Sequence, residues 1–162
     1  MSNKTLPKHD AKTESAPNQI PPLLPILMAV TLLIASYIGF SFLSDRTLTV
    51  NNKRVNVLVA DSSSERALGL SGHKRMQKDQ GMLFVFTSPS QYCFWMQDMK
   101  FPIDIVWLDK DKKVITIKTN VTPESYPTSY CPDSDAQYVL EVLAGQAEAL
   151  GLKEGDQAHF KL

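Results

Sequence analysis

Most of this chain is written in short stretches where apolar and polar residues trade places at every second position, the period of a half-buried strand. TLTVNNKRVNVLVADS alternates on both sides of Asn51-Asn52, which predicts a β-hairpin with Val55, Val57 and Val59 on one face. SSSERALGLSG follows, where Ser62 or Ser63 caps a short helix running towards Leu70. GMLFVF is the continuous apolar run of a buried strand, and TSPSQ after it reads as a turn. Tyr92 to Met96 and Ile103 to Leu108 read as the next two strands, DKDKK as a hairpin turn, and VITIKTNV as a further strand. TPESYPTSYCPDSD holds three prolines and is excluded from the middle of a sheet. QYVLEVLAG is a strand, Gln146 to Leu150 a short helix capped by Gly151, and a Gly-Asp turn leads into a last strand. Together these predict an α+β fold: a compact, mostly antiparallel, barrel-like domain with two short helices over residues 45–162.

The pattern changes completely upstream. Residues 1–22, MSNKTLPKHDAKTESAPNQIPP, are polar and proline-rich and read as a disordered tail. Leu23 to Leu43 is almost wholly apolar, and no charge occurs between Glu14 and Asp45. As a helix this run is roughly 30 Å long, enough to cross a hydrocarbon core. A signal peptide has a shorter apolar region and a small-residue cleavage site, which favours an uncleaved transmembrane helix here. Lys4, Lys8 and Lys12 precede the run and Arg46, Lys53 and Arg54 follow it, so the positive-inside bias is slight. The short tail favours a single-pass protein of the cell membrane with its C-terminal domain extracytoplasmic.

Charge adds mainly exclusions. Lys and Arg number 17, as do Asp and Glu, which removes the electrostatic argument for nucleic acid. His73 and His159 sit in no zinc-ligand spacing, and the chain has no phosphate-binding glycine loop or nucleophile elbow. No cofactor or resident metal is implied.

Two carboxylates interrupt apolar strands. Asp104 stands between Ile103 and Ile105; by alternation it shares a side with Val106 and Leu108, opposite Ile103, Ile105 and Trp107. Glu141 repeats the situation inside YVLEVL. An unpaired buried charge costs several kcal/mol, so both are expected to accept backbone N–H bonds or to pair with Arg66 or Lys100. Two carboxylates across a cleft also perform glycoside hydrolysis, but spacing in sequence does not give their separation. Trp95 and Trp107 are core or rim residues, or an aromatic platform for a sugar or peptide.

Three long motifs, GMLFVF, FWMQDMKFPIDIVWLD and YVLEVLAGQAEALGLKEGD, occur in this order. From Leu48 to Phe160 the chain resembles the family known as domain of unknown function 192. Trp95, Met96, Met99, Pro102, Asp104 and Glu141 match its most characteristic stretches. The resemblance implies a small, mostly β domain, often behind a signal peptide or membrane anchor, and brings no reaction with it.

The sulfur atoms leave alternatives open. Met76, Met82, Met96 and Met99 with Cys93 form a soft-ligand set of the kind that selects Cu(I), yet methionine is also the ordinary filler of irregular cores. Cys93 and Cys131 are the only cysteines, an even pair in a domain placed outside the cytoplasm, and are the candidate disulfide. Two separate thiols are the competing reading. The functional expectation is a membrane-anchored envelope domain with a non-catalytic binding or accessory role, its candidate ligand-binding residues being Trp95, Met99, Lys100, Asp104 and Glu141. Its partners would be the membrane, through residues 23–43, and a glycan, a peptide or an envelope protein. The alternatives are an envelope enzyme acting on glycan or peptide through Asp104 or Glu141, and a structural or copper-binding protein.

Overall fold

The computed structural model describes residues 46–162; the tail and the transmembrane helix expected at residues 1–22 and 23–43 lie outside them. Among the described residues no helix is long and apolar enough to cross a membrane. Strands β1 (Arg46–Val50) and β2 (Lys53–Ala60) form the expected hairpin. Asn51 and Asn52 both take positive φ, 49° and 60°, as a two-residue turn that follows strand twist requires. Helix α1 (Ser63–Leu68) starts with a complete capping box: the Ser62 hydroxyl accepts the Glu65 N–H, and the Glu65 carboxylate accepts the Ser62 N–H.

The remaining strands are β3 (Gln80–Ser90), β4 (Ile103–Leu108), β5 (Val114–Val121) and β6 (Ala136–Leu143), followed by helix α2 (Gln146–Leu150). They make one six-stranded sheet in the order β1-β2-β3-β6-β4-β5. Every pairing is antiparallel except β2 with β3, whose parallel register is bridged by the crossover through α1. Most of the antiparallel expectation is therefore met. The closed barrel is not: the sheet is open, and β1 and β5 do not pair with each other. The C-terminal segment lies between those edges instead, with Thr49 bridging His159 and Lys113 bridging Gln157.

Alternation sorts the core into two layers. One face carries Leu48, Val55, Val57, Leu83, Val106, Leu140 and Val142, covered by Ala147 and Leu150 of α2 and by Phe160. The other carries Met82, Phe84, Ile103, Ile105, Trp107 and Val139, covered by Leu70, Met96 and Met99. β4 is buried at all six positions because it is central and both faces are covered.

Three boundaries differ from the sequence pattern. TSPS is not a turn but the end of β3, past a register shift between Val85 and Ser90. Tyr92 to Met96 is not a sheet strand; its one ladder contact is the Phe94–Tyr130 bridge, because the segment lies across the sheet rather than within it. The last strand reduces to the isolated bridges of Gln157 and His159.

Candidate functional site

Segment 91–101 crosses the second face as a strap. Trp107 sits wholly buried beneath it and donates its indole N–H to the Tyr92 carbonyl at 2.8 Å. Phe94 packs edge-on against Phe84 and Trp107, with centroids 4.8 and 6.2 Å apart. Met96 and Met99 are buried against the sheet, whereas Trp95 just before them points outward and is 56% exposed. The two tryptophans thus separate: Trp107 is core and Trp95 is rim.

Both flanks of the strap are fastened. Cys93 and Cys131 form a disulfide, beside the reciprocal Phe94–Tyr130 backbone bonds of 2.8 Å, which ties the strap to the proline-rich loop. On the other side the Ser71 hydroxyl donates to the Gln97 carbonyl and the Gly72 N–H to the Asp98 carbonyl. The oxidised Cys93 has no thiolate to offer, which removes it from the sulfur set considered for copper. Met82, Met96 and Met99 are core residues, and among the described residues no group of three His, Cys, Asp or Glu converges.

The two buried carboxylates lie on opposite faces. Asp104 pairs in register with Val142, and Ile105 with Glu141, so the carboxyls project to opposite sides and share no cleft. Asp104 is fully buried and satisfied: it accepts the Asn120 N–H at 2.8 Å and the Ala147 N–H at 2.9 Å. The first bond serves a residue with φ of 53° at a β5 register shift, and the second caps α2, whose own N-cap is the side-chain-less Gly145. Its expected backbone bonds are present.

Glu141 has no such support. It is only 5% exposed, and its Oε2 has no hydrogen-bond partner. The expected pairing with Arg66 or Lys100 does not occur. The Arg66 guanidinium instead bonds the Asp61 and Val85 carbonyls and lies over the Phe86 ring. Lys100 is exposed, and the one salt bridge among the described residues joins Lys110 and Asp111. Burial pushes the Glu141 carboxyl up to about 8, so the acid is mainly protonated at neutral pH.

Glu141 lies at the base of a pocket of about 150 Å³ formed between α1, the turn after it and the strap. Phe84, Phe94, Trp95 and Met99 line it, together with Arg66, Ser71 and Gln97. The structure therefore brings three of the five candidate residues together, Trp95, Met99 and Glu141. Asp104 faces the other layer, and Lys100 is not part of the wall. Phe84 and Phe94 were not among the candidates; alternation within GMLFVF, which sets Met82 and Phe84 on one side, was the signal available for the first of them. A larger concavity of about 580 Å³, near Arg46, Lys112 and His159, is open and lacks a buried unpartnered group. Chemistry favours the smaller pocket over the larger one.

Comparison with known proteins agrees with this architecture. A protein of unknown function from Novosphingobium aromaticivorans DSM 12444 superposes with a TM-score of 0.66 at 29% identity, covering 70% of this chain and 83% of that one. A "putative transcription regulator" from Sinorhizobium meliloti 1021 superposes with a TM-score of 0.67 at 28% identity, covering 71% and 92%. No curated protein matches the chain. Residues 46–160 match the family DUF192, described as "Uncharacterized ACR". The chain belongs to the domain of unknown function 192 family.

Proposed function

We propose that this is a membrane-anchored envelope protein whose C-terminal domain binds a small ligand in the Glu141 pocket without transforming it. The observation that carries the reading is the unpartnered carboxyl at the pocket base. Leaving a buried polar group unsatisfied costs roughly 1–3 kcal/mol, a cost that a ligand offering a hydrogen bond or a charge would offset. The apolar run Leu23 to Leu43 supports the anchor, and the Cys93–Cys131 disulfide supports an oxidising compartment. Hydrolysis by paired carboxylates loses its basis, because Asp104 faces the opposite layer and is committed to Asn120 and Ala147.

A thermal-shift screen of glycans, peptides and small molecules tests the binding role, since a ligand of the folded state raises the midpoint by mass action. A hit whose effect shrinks in Glu141→Gln and Trp95→Ala places binding in this pocket. Hits that ignore both substitutions would move the site elsewhere. Alkaline carbonate extraction tests the anchor: release of the full-length chain into the soluble fraction would end that part of the reading.

A further inference from the structure

Size, walls and base of the pocket each restrict what enters. About 150 Å³ is well below the roughly 300–1,000 Å³ of sites for drug-sized ligands, so it accepts one side-chain-sized group. The aromatic side chains of Phe84, Phe94 and Trp95, a residue type whose ring face attracts positive charge, line it together with Met99. The base is a carboxyl whose Oε2 has no hydrogen-bond partner and which joins no salt bridge among the described residues. An apolar group would leave that carboxyl unsatisfied, and an anion would face both it and the ring electrons. The geometry points to an ammonium or guanidinium group on an aliphatic chain as the ligand, an inference that rests on the binding role proposed above.

The surrounding charges leave the base free for such a cation. β3 carries no charge from Gly81 to Ser90, and Glu141 is the only charged residue of β6. The one charge of β4, Asp104, faces the other layer. From α1, Glu65 is committed to its capping box; Arg66 does line the pocket, but its guanidinium is held by the Asp61 and Val85 carbonyls and lies over the Phe86 ring. The strap contributes Asp98 and Lys100, both exposed, and Cys93 is oxidised. Binding then has a proton balance: the cation enters and the carboxylic acid releases its proton to solvent. Because the empty site holds that proton up to about pH 8, affinity rises with pH until the acid ionises unaided. An alkylammonium keeps its own charge to about pH 10, so the rise belongs to Glu141.

Calorimetric titration of the full-length chain with n-butylammonium, n-butylguanidinium and a lysine-containing tripeptide provides the test, with n-butanol and butyramide as neutral comparators. The cations should bind about fiftyfold more tightly at pH 8 than at pH 6, releasing close to one proton at the lower pH. Tighter peptide binding would identify a polypeptide side chain as the source, and tighter free-amine binding a small molecule. Glu141→Gln should abolish the pH dependence and weaken cation binding at pH 8 at least tenfold. The wild-type pH profile and the exposed Trp95→Ala substitution decide the matter if that variant does not fold. Binding of a neutral comparator alone, constant to pH 7 and falling above pH 8, would overturn the cation while sparing the pocket. Silence from every probe at every pH would overturn both.

Discussion

Asp104 and Glu141 occupy neighbouring paired strands, one register step apart, yet their carboxyls live under opposite conditions. Asp104 is held by two backbone N–H groups, which satisfy its buried oxygens. Glu141 meets none, and burial makes it an acid. The contrast follows from what covers each face. The Asp104 side is closed by regular structure, α2 and a β5 bulge, whose terminal and irregular N–H groups need an acceptor. The Glu141 side is closed by a strap that presents side chains. One carboxyl completes the backbone; the other waits at the base of a pocket.

The largest expected effect breaks the satisfied side. Asp104→Ala strands the Asn120 and Ala147 N–H groups in the core and should cost about 4 kcal/mol, read from urea unfolding at pH 7. Asp104→Asn retains one amide oxygen as an acceptor and should cost less. A loss below about 1 kcal/mol for the alanine variant would mean that these bonds do not hold α2 and β5 in place.

The second effect concerns the fastening of the strap. Cys93 and Cys131 are 38 positions apart, and closing a loop of that size restricts the unfolded chain. The double Cys→Ala variant should lose roughly 3 kcal/mol. Mass spectrometry after alkylation without reductant should find no free thiol in protein isolated under oxidising conditions. Two alkylated cysteines would remove both the link and its support for an extracytoplasmic location.

How much of this contrast was legible depends on the kind of information involved. Alternation alone set Asp104 opposite Ile103, Ile105 and Trp107, and the structure agrees at every position of β4. It did not reveal which carboxyl is satisfied, because the donors to Asp104 are backbone groups 16 and 43 residues away. The strap was misread for a physical reason: Phe94 and Met96 go in and Trp95 out whether an extended segment lies in a sheet or across one. Barrel closure was likewise beyond reach. Strand count does not tell whether the last segment inserts between the sheet edges, as Gln157 and His159 do here. The parallel β2–β3 pair was hidden in a crossover that reads simply as helix and loop.

The third effect should stabilise. Glu141 binds its proton more tightly folded than unfolded, so its contribution is complete below about pH 4.5 and is lost as pH rises towards 8. At pH 7 the loss is about 3 kcal/mol, and a buried glutamine amide returns roughly 1 kcal/mol of it as an unmet hydrogen bond. Glu141→Gln should therefore gain about 2 kcal/mol at pH 7, with no gain at pH 4. Unfolding midpoints across that range provide the measurement, and a pH-independent difference between the proteins would show that Glu141 is not buried as an acid.

The smallest effect on stability should be the most specific for the pocket. Trp95 is 56% exposed and donates no hydrogen bond among the described residues, unlike the buried Trp107, whose indole N–H is bound to Tyr92. Surface substitutions of this kind usually change stability by less than about 0.5 kcal/mol. Trp95→Ala should thus unfold at the wild-type urea concentration while removing one aromatic wall from above Glu141. A cation over a tryptophan face gains about 0.5–2 kcal/mol, so affinity for an alkylammonium should fall roughly threefold to thirtyfold. The disulfide and the Asp104 bonds remain intact in this variant, which separates binding from folding. Equal affinity in variant and wild type would make Trp95 a bystander on the strap, and the ligand would then be held by Glu141, Phe84 and Phe94 alone.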